Sequence, residues 1–204
     1  MAVTDAYASA AAYRKLISKT DSADDAEIDI DLRAVSRYLD RVLGRSFTKD
    51  ARAVGRIFTR QPQGDPRVLW VDDLAAVPTS IKIDENGVGG FAGEAPLAAA
   101  EFELWPLNAG RGPEPRPWTA IHLPPSGGMA GWPAGRRVEV TTQWGWPAIP
   151  EAIARATVHL TAVLRLETPR ATGRVPELGG AFEASREAEG IVRELAGAYR
   201  RVRF

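Results

Sequence analysis

The stretch Val138-Glu139-Val140-Thr141-Thr142-Gln143-Trp144-Gly145-Trp146-Pro147-Ala148-Ile149-Pro150-Glu151-Ala152-Ile153-Ala154 changes character in its middle. Up to Gln143 apolar and polar residues alternate, as in a strand that buries one face. From Pro150 the spacing turns helical, with Ile153, Ala156, Val158, Leu160, Ala162, Val163, Leu164 and Leu166 in one run through Glu167 that Pro169 stops. Proline in a helix first turn sacrifices no hydrogen bond, and Glu151 suits the positive end of the helix dipole. Gly145 permits a sharp reversal between the two periods, and Trp146 can wedge between sheet and helix. A β region thus hands over to a helical one here, with Gly145, Trp146 and Pro150 as its structural junction.

Upstream, from about Ala51 to Gln143, the period stays near two and Gly and Pro punctuate it. Strands are predicted over Arg52–Arg60, Val68–Val71, Ser80–Asp84, Glu101–Trp105, Trp118–Leu123 and Arg137–Gln143, a spacing that suits a small antiparallel sandwich or barrel. Asp84-Glu85-Asn86-Gly87 reads as a hairpin turn, because Asn and Gly accept positive φ. The Pro-rich segment 106–117 and the Gly/Pro-rich segment 124–135 read as loops.

The period is helical again before Ala51. A first helix is predicted over Ala6–Ser18, capped by Thr4 or Asp5, with Tyr7, Ala10, Tyr13, Leu16 and Ile17 on one face. A longer one runs from Asp25 to Leu43 with the stripe Ile28, Leu32, Val35, Leu39, Val42 and Leu43, and Gly44 ends it. Apolar residues nearly encircle the Pro150–Glu167 helix, which places it at the centre of a helical core. After a breaker-rich linker, a last helix over Ala181–Tyr199 carries the thin stripe Phe182, Ile191, Leu195 and Tyr199. The expected fold class is α+β: a helical core interrupted by an antiparallel β-sandwich or barrel-like insertion, with a C-terminal helix and tail. The expected divisions are core helices over 1–50, the insertion over 51–145, a core helix over 146–168, and linker, helix and basic tail over 169–204.

Composition narrows the chemistry. The 204 residues are 45% hydrophobic, enough for a real core, and 26 basic residues balance 26 acidic ones. Charge is segregated locally: Asp21, Asp24, Asp25, Glu27, Asp29 and Asp31 crowd the start of the second helix, whereas Arg200, Arg201 and Arg203 crowd the end of the chain. Zero cysteines exclude disulfides, thiolate metal sites and cysteine nucleophiles, and fit a reducing compartment. No run approaches the roughly 18 apolar residues of a spanning helix, and no secretory leader is visible, so no membrane role is expected.

Neither His122 nor His159 has a metal- or triad-forming partner at recognisable spacing, so each is read as a packing residue. The acidic run lacks the Gly and terminal Glu of an EF-hand and reads as a solvated helix start. Gly87-Val88-Gly89-Gly90 lacks the Lys-Ser/Thr of a phosphate loop. Among six tryptophans, Trp70, Trp105 and Trp118 fall in strands and are expected in the core, while Trp132, Trp144 and Trp146 flank loops; a sugar- or base-stacking platform is the less favoured reading. No catalytic residue, metal or cofactor is expected.

The segment Val138 to Ala156 resembles the motif with which phage head–tail connector (adaptor) proteins leave their β insertion: a strand, a Gly-Trp turn, then Pro-Glu-Ala-Ile opening a helix. Tyr38-Leu39 through Leu43-Gly44-Arg45-Ser46-Phe47 is similar to the end of that family's second helix, and Leu69-Trp70-Val71-Asp72-Asp73-Leu74 with Ile81-Lys82-Ile83-Asp84 to its insertion strands. The resemblance covers most of residues 4–167. It implies a non-enzymatic structural protein of the virion neck, assembled in the host cytoplasm into a homo-oligomeric ring, expected to be a dodecamer. The implied partners are the portal protein, neck or tail completion proteins, and packaged DNA passing non-specifically through the channel. Portal or subunit docking is expected through Phe182, Ile191, Leu195, Tyr199, Arg200, Arg201 and Arg203. The alternatives are a tail-side neck completion protein and a carbohydrate-binding tail module.

Overall fold

The computed structural model of the chain describes residues 6–167 and 186–200. The fold is α+β, with two antiparallel three-stranded sheets and, among the described residues, the helices α1 (Ala10–Leu16), α2 (Asp25–Leu43), α3 (Glu151–Glu167) and α4 (Arg186–Tyr199). The chain divides into two compact units, Met1–Phe47 with Ile149–Phe204, and Thr48–Ala148.

In the helical unit α2 has the predicted bounds. Ile28, Leu32, Val35, Leu39 and Leu43 are buried along its stripe, Val42 is half-buried, and Gly44 closes it at φ +67° with its N–H donating to the Asp40 carbonyl. The left-handed C-cap that glycine favours is therefore realised. Helix α1 is shorter than its periodicity suggests. The Ser9 hydroxyl accepts the Ala12 N–H at 3.2 Å and starts the helix there, leaving Tyr7 in the preceding coil and Leu16 and Ile17 exposed. Ser9 wins because its oxygen satisfies an N–H that has no carbonyl in the first turn. The proposed caps Thr4 and Asp5 lie outside the described residues.

Helix α3 is less uniformly apolar in its burial than in its sequence: Ile153, Leu160 and Leu164 are buried while Leu166 is 86% exposed. Thr157 and Thr161 fill the remaining core positions. Their hydroxyls donate to the carbonyls of Ile153 and Thr157 at 2.8 Å each, so neither buried oxygen lacks a partner. Val158 joins Ala10, Tyr13, Ile28 and Leu32 in a cluster that ties α3 to α1 and α2.

Tyr7 anchors the chain before α1. Its N–H donates to the Ser36 hydroxyl at 3.0 Å, its phenol donates to Asp40, and the phenol oxygen accepts the Phe47 N–H at 2.9 Å. Its ring meets Phe47 edge-on, and Phe47 meets Tyr199 of α4 in the same way at 5.8 Å. Burial, and then the hydrogen bond to the Asp40 carboxylate, push the phenol from its ordinary 10.0 up to about 12. Because the folded-state value lies above the unfolded one, this stabilisation is complete below pH 10 and is lost as pH rises towards 12. The shift corresponds to about 3 kcal/mol. Tyr7→Phe is expected to lower stability at neutral pH and to remove this part of the alkaline decline, so that the gap between urea midpoints of the two proteins narrows from about pH 9 to about pH 12. A gap independent of pH would show that the phenol is not held as described.

In the second unit, β1 (Val54–Thr59), β6 (Arg137–Thr142) and β3 (Ser80–Ile83) form one sheet in the order β1-β6-β3. The other has β2 (Val68–Leu74), β5 (Trp118–His122) and β4 (Glu103–Trp105) in the order β2-β5-β4. In the first sheet Ile81 lies opposite Val140, and Ile83 opposite Val138. Those four side chains pack with Leu69, Val71, Leu74, Ile121, Leu123, Trp132 and Trp144 in one core. Full burial of each aliphatic side chain contributes about 1.5–3 kcal/mol, which makes this core the main source of the unit's stability.

Two expectations do not hold. The turn after β3 closes no hairpin, because β3 pairs with β6 rather than with the next strand. Two of the three strand tryptophans are not core residues: Trp70 is 42% and Trp105 38% exposed, while Trp118 packs half-buried against the core and Trp132, Trp144 and Trp146 are buried. Trp70 and Trp105 both register with Ala120, on the face of their sheet opposite Leu69 and Ile121, so strand position alone did not put them inside. Trp132 instead ties loop 124–135 to the sheet, with its main-chain N–H donating to the Pro66 carbonyl at 2.7 Å and its indole N–H to the Arg67 carbonyl at 3.1 Å.

Candidate interaction surfaces

At the exit from the β unit, the segment Gln143–Gly145 runs between two other stretches of backbone. Its carbonyls accept from Ala75 N–H (Gln143, 3.0 Å) and Asp50 N–H (Trp144, 2.8 Å), and the Gly145 N–H donates to the Asp73 carbonyl at 2.7 Å. Gly145 has φ +101°, and a Cβ there would collide with the Thr48 carbonyl oxygen. The position therefore needs glycine for both its dihedral and its clearance. Trp146 is buried, with its indole N–H donating to the Asp73 carboxylate at 3.2 Å. Pro150, also buried, accepts the Ala154 N–H at 3.0 Å and so begins the first turn of α3.

The segment predicted to dock a partner is divided by the structure. Leu195 and Tyr199 are buried and Ile191 half-buried where α4 packs on α2 and α3. Ile191, Leu195 and Tyr199 thus pack within the subunit's own helical unit, and α4 leaves Glu189, Arg193 and Glu194 on its exposed flank, with Arg200 exposed just beyond. Phe182, Arg201 and Arg203 lie outside the described residues, as does the linker 168–180.

The acidic run at the start of α2 is partly solvated, with Asp21, Glu27 and Asp29 exposed, and partly paired. Arg14 meets Asp25 at 3.3 Å, Lys19 meets Asp24 at 2.6 Å, and Arg165 of α3 meets Asp31 and, at 3.7 Å, Glu27. Each cation comes from another segment, so the carboxylates that suit the helix dipole also fasten α1 and α3 to α2. Three cations meet six carboxylates, so the helix start keeps a net negative charge.

The glycine-rich loop after β3 has an unexpected construction. The buried Asp84 carboxylate accepts the N–H of Gly87 at 2.7 Å and of Gly89 at 2.9 Å, both glycines having positive φ. The amides that would cradle a phosphate in a nucleotide loop are already occupied by the chain's own carboxylate. Arg136 lies over Gly87 and Arg137 over Gly89, so closely that a Cβ at either glycine would strike a guanidinium nitrogen.

His122 stacks on Trp105, with ring centroids 4.4 Å apart, and stands 3.5 Å from Glu103. Among the described residues no group of His, Asp or Glu is arranged to hold a metal, and no helix is long and apolar enough to cross a membrane.

No family model and no curated protein matches this sequence. Solved structures do. A chain in the neck of the empty gene transfer agent particle, computed with C6 symmetry, is 23% identical with a TM-score of 0.54, and the match covers 100% of this chain and 94% of that one. A chain in the virion of the native particle is 22% identical with a TM-score of 0.55, and one in the neck of the native particle, computed with C12 symmetry, is 22% identical with a TM-score of 0.53, at the same coverage. At this identity the likeness is one of fold, and it extends over the whole chain.

Proposed function

We propose that this chain is a structural neck adaptor of a phage-like particle, one that assembles as a ring under the portal and joins it to the next neck or tail component around a DNA channel. The observation that carries this reading is the whole-chain likeness of fold to chains from a virion neck, including its β insertion between helical segments. The residue pattern around Gly145 and Trp146 supports it independently of the fold comparison, because the resemblance there lies in the order of residue types and owes nothing to superposed backbones. Docking onto the portal through the end of the chain belongs to the same reading, with the exposed flank of α4 and Arg200 as the described surface available for it. The ring would be twelvefold, and the protein would act by contact alone.

Electron microscopy of the purified protein mixed with portal particles, and separately with tail tubes, tests this role. The expected result is added ring density beneath the portal and none on the tube. Density on the tube alone would make the chain a tail-side completion protein, and density on neither would remove it from the neck.

A further inference from the structure

We propose that Arg136 and Arg137, held against the glycine loop 87–90, form a contact site for the phosphodiester backbone of DNA; this rests on the neck reading above and deepens it. Neither guanidinium has an ion-pair partner among the described residues. Arg14, Arg56 and Arg165, by contrast, stand against carboxylates. Two like charges on consecutive residues repel each other, and the arrangement is relieved when an anion from outside accepts from both.

The surroundings position the two side chains. Asp84 accepts from the loop amides while keeping its negative charge, and its own N–H donates to the Arg137 carbonyl at 2.9 Å, which fastens the loop to the start of β6. Glu94 is engaged by the Asn86 side chain at 3.2 Å, and Lys82 of β3 spends its ammonium on the Phe91 carbonyl at 3.0 Å, adding positive charge without neutralising any. Glycine at 87 and 89 lets both guanidiniums lie directly against the loop backbone, in space that a Cβ would otherwise fill, and so sets their position. Arg136 is half-buried and Arg137 exposed, which gives one fork a fixed position and the other reach.

A polyanion fits this pair better than protein carboxylates do. Duplex DNA presents a continuous row of phosphates, so both forks are satisfied by one partner in any register, as non-specific contact with a passing duplex requires.

The test measures binding of a short fluorescent DNA duplex to the full-length protein by anisotropy over a range of salt, for the wild type and for Arg136→Gln/Arg137→Gln. The expected result for the variant is binding weakened about tenfold or more, with a slope of log K against log salt shallower by about 1–2, as the loss of one or two phosphate contacts predicts. Tryptophan near-UV circular dichroism verifies that the variant is folded, and Arg136→Lys/Arg137→Lys, which keeps the charges, is expected to retain most of the slope. Equal affinity and slope in wild type and glutamine variant would overturn the site. So would unchanged DNA binding together with loss of portal assembly, which would assign the pair to carboxylates of a protein partner. Microscopy of portal mixtures reports on the neck reading separately: a variant that still forms rings but binds DNA normally refutes only the DNA site, and a wild type that binds DNA but forms no ring refutes only the neck role.

Discussion

Gly145→Ala is expected to destabilise the protein by about 3–5 kcal/mol, among the largest effects of any single change in this chain. Two penalties combine at this position. An alanine at φ +101° leaves the dihedral range open to L side chains, and its Cβ meets the Thr48 carbonyl, which is backbone and has no rotamer to adopt. The glycine cannot move away cheaply, because its N–H is committed to Asp73 and the flanking carbonyl of Trp144 to Asp50. Gly44→Ala is the control. It too has positive φ, +67°, but nothing lies within 4 Å of its would-be Cβ, so only the conformational cost of about 1–2 kcal/mol applies. Urea unfolding followed by far-UV circular dichroism compares the two, and equal losses would show that the close backbone approach at Gly145 carries no energetic weight.

Trp144→Ala is expected to cost a similar amount, about 3–5 kcal/mol, by a different route. This indole is almost completely buried in the core of the β unit. Its N–H donates to the Val54 carbonyl at 2.7 Å, Phe58 packs against its ring at 5.4 Å, and the Arg56 guanidinium lies 4.7 Å from the ring centre. Arg56 reaches Asp72 at 3.0 Å and Asp50 at 3.5 Å, so the one side chain holds β1 against β2 and the segment before β1. Truncation leaves a cavity, an unpaired carbonyl and a guanidinium without its ring. Trp144→Phe keeps much of the volume but not the donor, and a loss of about 1–3 kcal/mol is expected for it. If the two variants unfolded at the same urea concentration, the lost hydrogen bond rather than the cavity would account for most of the damage.

Both variants bear on assembly as well as stability. If the neck reading holds, a destabilised β unit should reduce the yield of portal-bound rings roughly in step with the folded fraction. Rings lost from a fully folded variant would point to direct contact by this unit.

Local sequence determined the parts of this protein whose physics is local. The 3.6-residue stripe of α2 and its glycine stop set that helix to the residue, because the stripe, the acidic first turn and the left-handed cap all act within a few positions of one another. The switch of period at Gly145 was equally visible, since a glycine between a two-residue and a helical repeat has few other uses. Tertiary structure decided what depends on partners distant in sequence. Trp70 and Trp105 look like core residues in any strand, but the face a strand buries follows from which sheet it joins, and here Leu69 and Ile121 took the inside. The stripe on α4 reads from sequence alone as a docking face, and only the tertiary structure places Leu195 and Tyr199 inside the helical unit. The acidic run became a set of fastenings because Arg165 arrives from a segment far along the chain, a pairing that charge composition counts but cannot place.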